Sequence, residues 1–461
     1  MKRTITTLLF VFAFAIFASA NGLVTNVNQS ASYLRNMARG TTLGADAGYY
    51  NPAGMVFMEK GWHFGINNQV AIQRRWTNST FEPFSLAANN LGSSEKHFQG
   101  DTYSPVVPGL YATYKGDRWA YQASLTVGSG GGSVDYEDGL ASFESIFAQI
   151  PVVFSQLDPV AHFVPYSMDI RFKVSSMTFT GRLGAAYRIS DNFSAGAQLQ
   201  FAYTSNNYEG DIKDVKLAEN QEYFKDIVAD KKLRCKQNGW AISPVFSLYF
   251  RSNGARDGEV LSEKATFGWG WSASAKYEFR SAITVKNNTS SDVVINGQGL
   301  FPDGQKSGGE IPALLSLAAS KHLGSVKLTA QWMHYFDRDA DNYYTQHNNV
   351  NGDADEIMFG VDWKVTRRLL LSTCIDRTFP QLDESTYSDF NFNAASTTWG
   401  IGAGVNVSRH VTINGGVMFT FYQTVNREAN PYNSSILANI PGADQYHRQS
   451  TCFGVGVDLH F

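Results

Sequence analysis

Cysteine is nearly absent from this chain of 461 residues. Cys235, Cys374 and Cys452 are too few and too far apart for a disulfide framework, and Cys374 and Cys452, inside alternating stretches, read as small packing residues. Charge is sparse as well, at 17% of residues with a formal net of −3, and no nucleic-acid partner is expected. Beyond residue 20 there is no long uninterrupted apolar run, which excludes a helical membrane protein. The 9 histidines are scattered without His-x-x-x-His or Cys-x-x-Cys spacing, so no zinc site is expected. Asp337, Asp339 and Asp341 resemble the start of a calcium loop. Asn342 stands where that loop needs glycine and no glutamate fills its twelfth position, so a solvated acidic loop is the reading kept. No Ser, His and acid cluster stands where alternation would gather it, so neither catalysis nor a cofactor is expected.

The amino terminus assigns a compartment. Lys2 and Arg3 precede an apolar stretch, Leu8 to Phe17, and Ala18-Ser19-Ala20 has the small-x-small pattern of a cleavage site. Residues 1–20 therefore read as a signal peptide and Asn21 as the first mature residue, with no following cysteine to carry a lipid. Aromatic residues at 14% and 41 glycines suit a β-barrel with aromatic girdles better than an ordinary soluble enzyme.

Period-two alternation runs through most of the rest. Met177, Phe179, Leu183, Ala185, Tyr187 and Ile189 alternate with Thr178, Thr180, Arg182, Gly184 and Ala186, and after a turn at Ser190-Asp191-Asn192 the pattern resumes from Phe193 to Tyr203. Comparable hairpins turn at Gly116-Asp117-Arg118, His322 to Ser325, Thr366-Arg367-Arg368 and Ser408-Arg409-His410. Segments of about 10 residues suit tilted transmembrane strands. Counting from Trp62 to the last strand at Thr451 to Phe461 predicts about fourteen antiparallel strands, an all-β transmembrane barrel over residues 62–461. Short turns alternate with long loops, as the periplasmic and external ends of an outer-membrane barrel do; only the connection Arg251 to Ala265 is too long for that rule. The final strand ends on an aromatic residue, Phe461, which resembles the signal read by the outer-membrane assembly machinery.

Residues 21–61 lack clean alternation and exceed what a barrel needs as a leader. They contain Arg35, Gly44, Asp46 and the run Asn51-Pro52-Ala53-Gly54. Pro52 fixes its own backbone, Asn51 can bond nearby amides, and Gly54 would let the chain approach the wall closely. This segment resembles the hatch of the FadL family of outer-membrane transporters for long-chain fatty acids and aromatic hydrocarbons, and the likeness extends through Tyr121 to Asp135 and Ser176 to Tyr203. The resemblance implies a plug inside a fourteen-stranded barrel and passive uptake of a hydrophobic ligand. An adhesion or structural barrel is the alternative from another class. Besides the ligand, the expected partners are outer-membrane lipid, lipopolysaccharide and the assembly machinery.

Three features are candidates for the route. Gly128, Gly130, Gly131 and Gly132 interrupt the third strand, where a bulge or break in the wall is expected; the resemblance makes this a lateral opening. Phe143, Phe147 and Ile150 belong to an unusually apolar external loop that either collects ligand or packs to close the mouth. Arg182 faces inward by parity, either to grip a carboxylate or to pair with an acid such as Asp362 or Asp46. Thr204 to Asn207 lacks the basic residues that fatty-acid members of the family carry near that point.

Overall fold

A computed structural model describes residues 28–461 except 158–161, 257–265, 293, 296–297, 300, 342–349, 384–386, 390–391 and 435–438. The predicted signal peptide and Asn342 lie outside the described residues. Seventeen segments form one closed sheet, and three of them, Thr284–Ser291, Lys306–Gly308 and Val425–Ala429, continue neighbouring strands outward, which leaves fourteen. These are β1 Gly61–Phe81, β2 Glu95–Lys115, β3 Trp119–Tyr136, β4 Phe163–Arg188, β5 Phe193–Ala218, β6 Lys231–Arg251 and β7 Trp269–Glu278. The second half comprises β8 Ala313–Leu323, β9 Val326–Phe336, β10 Ala354–Lys364, β11 Leu369–Phe379, β12 Ser396–Asn406, β13 Val411–Tyr422 and β14 Gly442–His460. All neighbours are antiparallel, and β1 pairs with β14 from His63↔His460 to Phe81↔Gly442.

The period of two places the side chains. On β5, Leu199, Phe201 and Tyr203 face out and are exposed, whereas Gln198, Gln200 and Thr204 face in and are buried. The same parity exposes Trp240 to Phe250 on β6, Ile357 to Trp363 on β10 and Phe453 to Val457 on β14, which makes an apolar belt around a polar interior. No helix among the described residues is long and apolar enough to cross a membrane. The strands do so instead.

Two expectations about length change. β1 to β6 run 18 to 26 residues, about twice the predicted length, because ladder pairing continues above the belt where outward side chains turn polar. Strand therefore occupies much of Thr77 to Asp101 and Thr204 to Gly239, two of the long external connections. At the suspect connection, Arg256 donates to Phe267 O and Phe267 to Gly324 O in the short β8–β9 turn, so its ends lie on the short-turn side.

The seam is completed beyond the strands. The Trp62 and Phe461 amides exchange hydrogen bonds of 2.8 and 2.9 Å. Gly61, at φ +120°, brings its backbone so close to the Phe461 carbonyl that an added Cβ would lie 2.0 Å from that oxygen. Gly61→Ala should therefore weaken closure, seen as a lower temperature for the heat-modifiable gel shift of the purified barrel, and an unchanged transition would refute this account.

Candidate functional site

Residues 28–58 fill the lumen. Helix α1, Ala31–Arg35, lies against β11 to β14 and β1, and a 3-10 turn at Pro52–Phe57 lies against β2 to β7. Its local shape follows from its caps: Ser30 Oγ accepts from the Tyr33 amide, and Asn51 Oδ1 accepts from Gly54 at 3.2 Å just before Pro52 opens the turn. The space beside Gly54 is taken by Asn51 and Leu43, not by the wall as expected. The close approach to the wall is made through Gly196 of β5, where an added Cβ would lie 2.9 Å from Ala53 N.

Charge pairing anchors this segment. Arg35 meets Asp362 of β10 at 3.1 Å, and Asn36 and Ser372 bond the same carboxylate at 2.8 and 2.6 Å. Arg39 meets Asp46 at 2.6 Å, and Gly44 donates to Thr42 Oγ1. Asp362 and Asp46 are therefore not the partners of Arg182. Arg182 instead donates to Glu278 of β7 at 2.6 Å, to Gln200 at 2.8 Å and to the Tyr49 carbonyl at 3.0 Å, with its guanidinium over the Tyr49 ring. Parity places Arg182 inside, but the acid that claims it lies 96 residues away, which no local pattern reveals.

The wall is interrupted between β2 and β3. Their ladder runs from Lys115↔Ala120 to Gly109↔Thr126 and resumes only at Thr102↔Val134, so Tyr103 to Pro108 and Val127 to Ser133 face each other without pairing. Gly128, Gly130, Gly131 and Gly132 lie on the β3 edge of this window, and β3 slips twice against β4 there, at Val127/Ser129 and Gly130/Gly132. Gly130 sits at φ +73°, with the Ser176 carbonyl 2.3 Å from where a Cβ would be. The other edge was missed from sequence. Pro105 and Pro108 on β2 have no amide to donate, and β2 slips against β1 between Gln69 and Ala71. Two prolines within an alternating stretch are the signal that could have found it.

Tyr103 and Val106 beside the window are 65% and 60% exposed. The window begins after Thr126, the eighth residue of β3 from Trp119, and a strand tilted by about 45° crosses the hydrocarbon in roughly 9–11 residues. The lapse in pairing therefore begins near the outer end of such a crossing.

Above the lumen, helix α3, Ala141–Leu157, closes the mouth; α2 is the short turn Ala47–Tyr50 in the lumen. Phe147 and Ile150 are buried in a cluster with Phe81, Phe84, Tyr166 and Tyr432, and Phe143 meets Phe172 edge-on. Phe147 and Ile150 thus pack loops together, and the half-buried Phe143 packs on β4. Polar clamps hold α3: Glu144 with Lys96 at 2.6 Å and with the Tyr166 hydroxyl at 2.9 Å, and Asp389 accepting from the Ser142 amide at 2.8 Å. Asp337 is likewise buried and accepts from the Ala354 amide, not solvated as expected, and burial pushes its carboxyl up to about 7. Among the described residues no cluster of ligands could hold a metal.

Removing one partner of a buried pair strands the other charge, so Arg35→Ala should cost about 3–5 kcal/mol, even with Lys327 3.6 Å from Asp362. A gel-shift temperature equal to that of the unmodified protein would contradict this. At the mouth, burial, with Asp444 nearby, pushes the Asp389 carboxyl up to about 6. Between its unfolded value of about 4 and about 6 the folded chain binds the extra proton, so this contact loses stability as pH rises through that window and changes little above it. Amide exchange in α3, corrected for intrinsic rates, should accordingly be slower at about pH 4.5 than at about pH 7, and Asp389→Asn should flatten the difference.

No family model and no curated protein matches the chain in sequence. Solved structures do match it in fold. A Pseudomonas aeruginosa FadL homologue superposes with a TM-score of 0.65 at 12% identity, covering 95% of this chain and 100% of that one. The Pseudomonas putida toluene transporter TodX gives 0.57 at 13% over 95% and 99% of the two chains. The Ralstonia pickettii toluene transporter TbuX gives 0.54 at 12% over the same shares. Strand number, closure and near-complete coverage agree, and the chain therefore has the FadL fold, a fourteen-stranded barrel of the bacterial outer membrane.

Proposed function

We propose that this barrel takes up hydrophobic small molecules across the outer membrane by passive diffusion, with exit sideways through the β2–β3 window. The window carries the reading. It lies at the level of the outer leaflet, while residues 28–58 fill the lumen below, so an apolar molecule entering from outside has a shorter way into lipid than into the periplasm. Transfer of apolar area from water to lipid is worth about 25 cal/mol per Å², which supplies the direction without an energy source. The fold neighbours include toluene transporters and a monoaromatic hydrocarbon channel, which fits this substrate class.

Within that class the interior favours neutral ligands over long-chain fatty acids. Arg182 has all three guanidinium nitrogens engaged and its charge met by Glu278, so gripping a fatty-acid carboxylate would mean breaking a buried pair. Entry requires the α3 clamps to part, because Phe147 and Ile150 are committed to loop packing and Phe143 to β4.

A removable staple tests the route. An ideal Cβ on Gly132 lies 3.7 Å from the Ser104 Cβ, inside the range of about 3.5–4.5 Å that disulfides span. The pair S104C and G132C should oxidise across the window, and the native cysteines, all buried, should not compete. Uptake of labelled toluene or a longer alkane by cells carrying the oxidised pair is expected to fall severalfold and to recover on reduction. Parental uptake in the oxidised form, with the disulfide confirmed by mass, would exclude lateral exit.

A further inference from the structure

The outward faces of β4 to β7 do not stay neutral above the belt. On β6 the exposed apolar residues Ile242 and Trp240 are followed, on the same face and two residues apart, by Asn238, Lys236, Arg234 and Lys232. Lys173 on β4 is exposed on the same outer surface, opposite Glu209 of β5, which in turn stands opposite Arg234. Beyond β7, Thr284–Ser291 carries Lys286 outward, directly opposite Lys306. The acids among them cluster at Lys232: Asp211, opposite it on β5, is bonded to Arg234 at 2.9 Å, and the exposed Asp292 donates its amide to the Lys232 carbonyl, while Glu209 accepts from Asn207. Among the described residues no ion pair forms at Lys173, Lys232, Lys236, Lys286 or Lys306, and all five are exposed.

Two features make this more than a solvated surface. Like charges opposite each other on a ladder destabilise it, and Lys286 with Lys306 is such a pair, which an intervening anion would relieve. Second, the basic character is stronger here than on the seam strands. The corresponding outward positions on β1 and β14 are Asn78, Thr80, Gln445 and Gln449, and Arg74 there is matched by Asp101 at 3.2 Å. Because these lysines continue the face that touches lipid tails, they point sideways at the headgroup layer instead of up into water, where long side chains keep their charge at the interface.

We propose that this face of β4 to β7 is a binding site for phosphate groups of phosphorylated outer-leaflet lipid, with Lys236, Lys286 and Lys306 as its principal cations. Lys306 is about 5 Å across the ladder from Lys286, and Lys286, opposite Asn238, is one diagonal step from Lys236, so two cations can reach one phosphate. The lipid would flank the tall half of the wall that includes the β3–β4 edge of the window.

The test uses the full-length barrel in mild detergent, with lipopolysaccharide as the probe and its enzymatically dephosphorylated form as comparison. Native mass spectrometry should show phosphorylated lipid retained and the dephosphorylated form bound severalfold more weakly. Replacing Lys236, Lys286 and Lys306 with Gln should abolish that preference, and replacing them with Arg should keep it, with the gel shift confirming a folded barrel in both cases. Equal retention by the Gln variant, or equal binding of the dephosphorylated lipid, would overturn the proposal. Displacement by inorganic phosphate at the concentration of the lipid itself would also overturn it, since the site would then be one for the free ion.

Discussion

Inside hydrocarbon an unpaired amide has no water to turn to, and each costs several kcal/mol, on the order of what one buried ion pair is worth. Closing the sheet removes that cost everywhere except where pairing is interrupted. The β1–β14 ladder accordingly runs from His63 to Phe81 with continuous register, and the terminal Phe461 completes it through Trp62. Against that background the missing rungs between β2 and β3 stand out. They lie where Pro105 and Pro108 remove donors, so part of the deficit is built out of the chain before folding begins. Glycines on the facing edge leave little side-chain bulk across the gap.

The lumen obeys the same economy of unmet polarity by a different device. Wall residues facing inward are largely Gln, Thr and Ser, and the lumenal segment satisfies them with its own backbone: Ser247 and Ser194 bond both polar groups of Ala53, Gln331 takes Gly40, and Gln198 takes the Gly48 carbonyl. Three buried arginines then divide three acids, Arg35 with Asp362, Arg39 with Asp46 and Arg182 with Glu278. Of these pairs Arg35 with Asp362 joins the segment to the wall, Arg39 with Asp46 lies within the segment, and Arg182, paired with Glu278 from wall to wall, holds the Tyr49 carbonyl as well. Pulling residues 28–58 out as a unit would strand Asp362 and break the Arg182 contact to Tyr49 together with the wall's bonds to Ala53, Gly40 and Gly48, so the lumenal segment is a fixed part of the fold and a sideways route demands far less rearrangement than one through it.

Alternation made the strand number, the closing strand and the inward parity of Arg182 legible, because a period of two is a local property of the chain. The partner of Arg182 was not legible, since β5 and β6 separate β4 from β7 in the sheet and the two side chains meet across the lumen. Strand length was misread for a physical reason: the apolar face ends with the lipid, whereas ladder hydrogen bonds continue wherever two strands remain side by side, as from Trp240 up to Lys231 on β6. The glycine run signalled one edge of the window, but an opening needs two edges, and its prolines lie on the preceding strand. The apolar loop residues Phe143, Phe147 and Ile150 were equally consistent with capture or packing, and only the burial of Phe147 and Ile150 among Phe81, Phe84 and Tyr432 separates the two.

The tall half of the barrel explains how the wall can be open without fraying. If β2 and β3 ended where their pairing first lapses, at Gly109 and Thr126, the gap would be two loose ends. Both strands continue, and they pair again at Thr102↔Val134 and Asp101↔Asp135. Arg171 of β4 grips Asp135 through two nitrogens at 3.2 and 2.6 Å, and the Tyr136 ring packs against Gly100, where an added Cβ would lie 2.4 Å away. These contacts form a lintel. Beneath it β2 leans on β1 and β3 on β4, each with a bulge that absorbs the extra length, so the gap keeps its shape while the strands that frame it remain fully held on their other sides. Strand extension above the membrane, which reads in the sequence as mere loop, is what turns a missing stretch of ladder into a window.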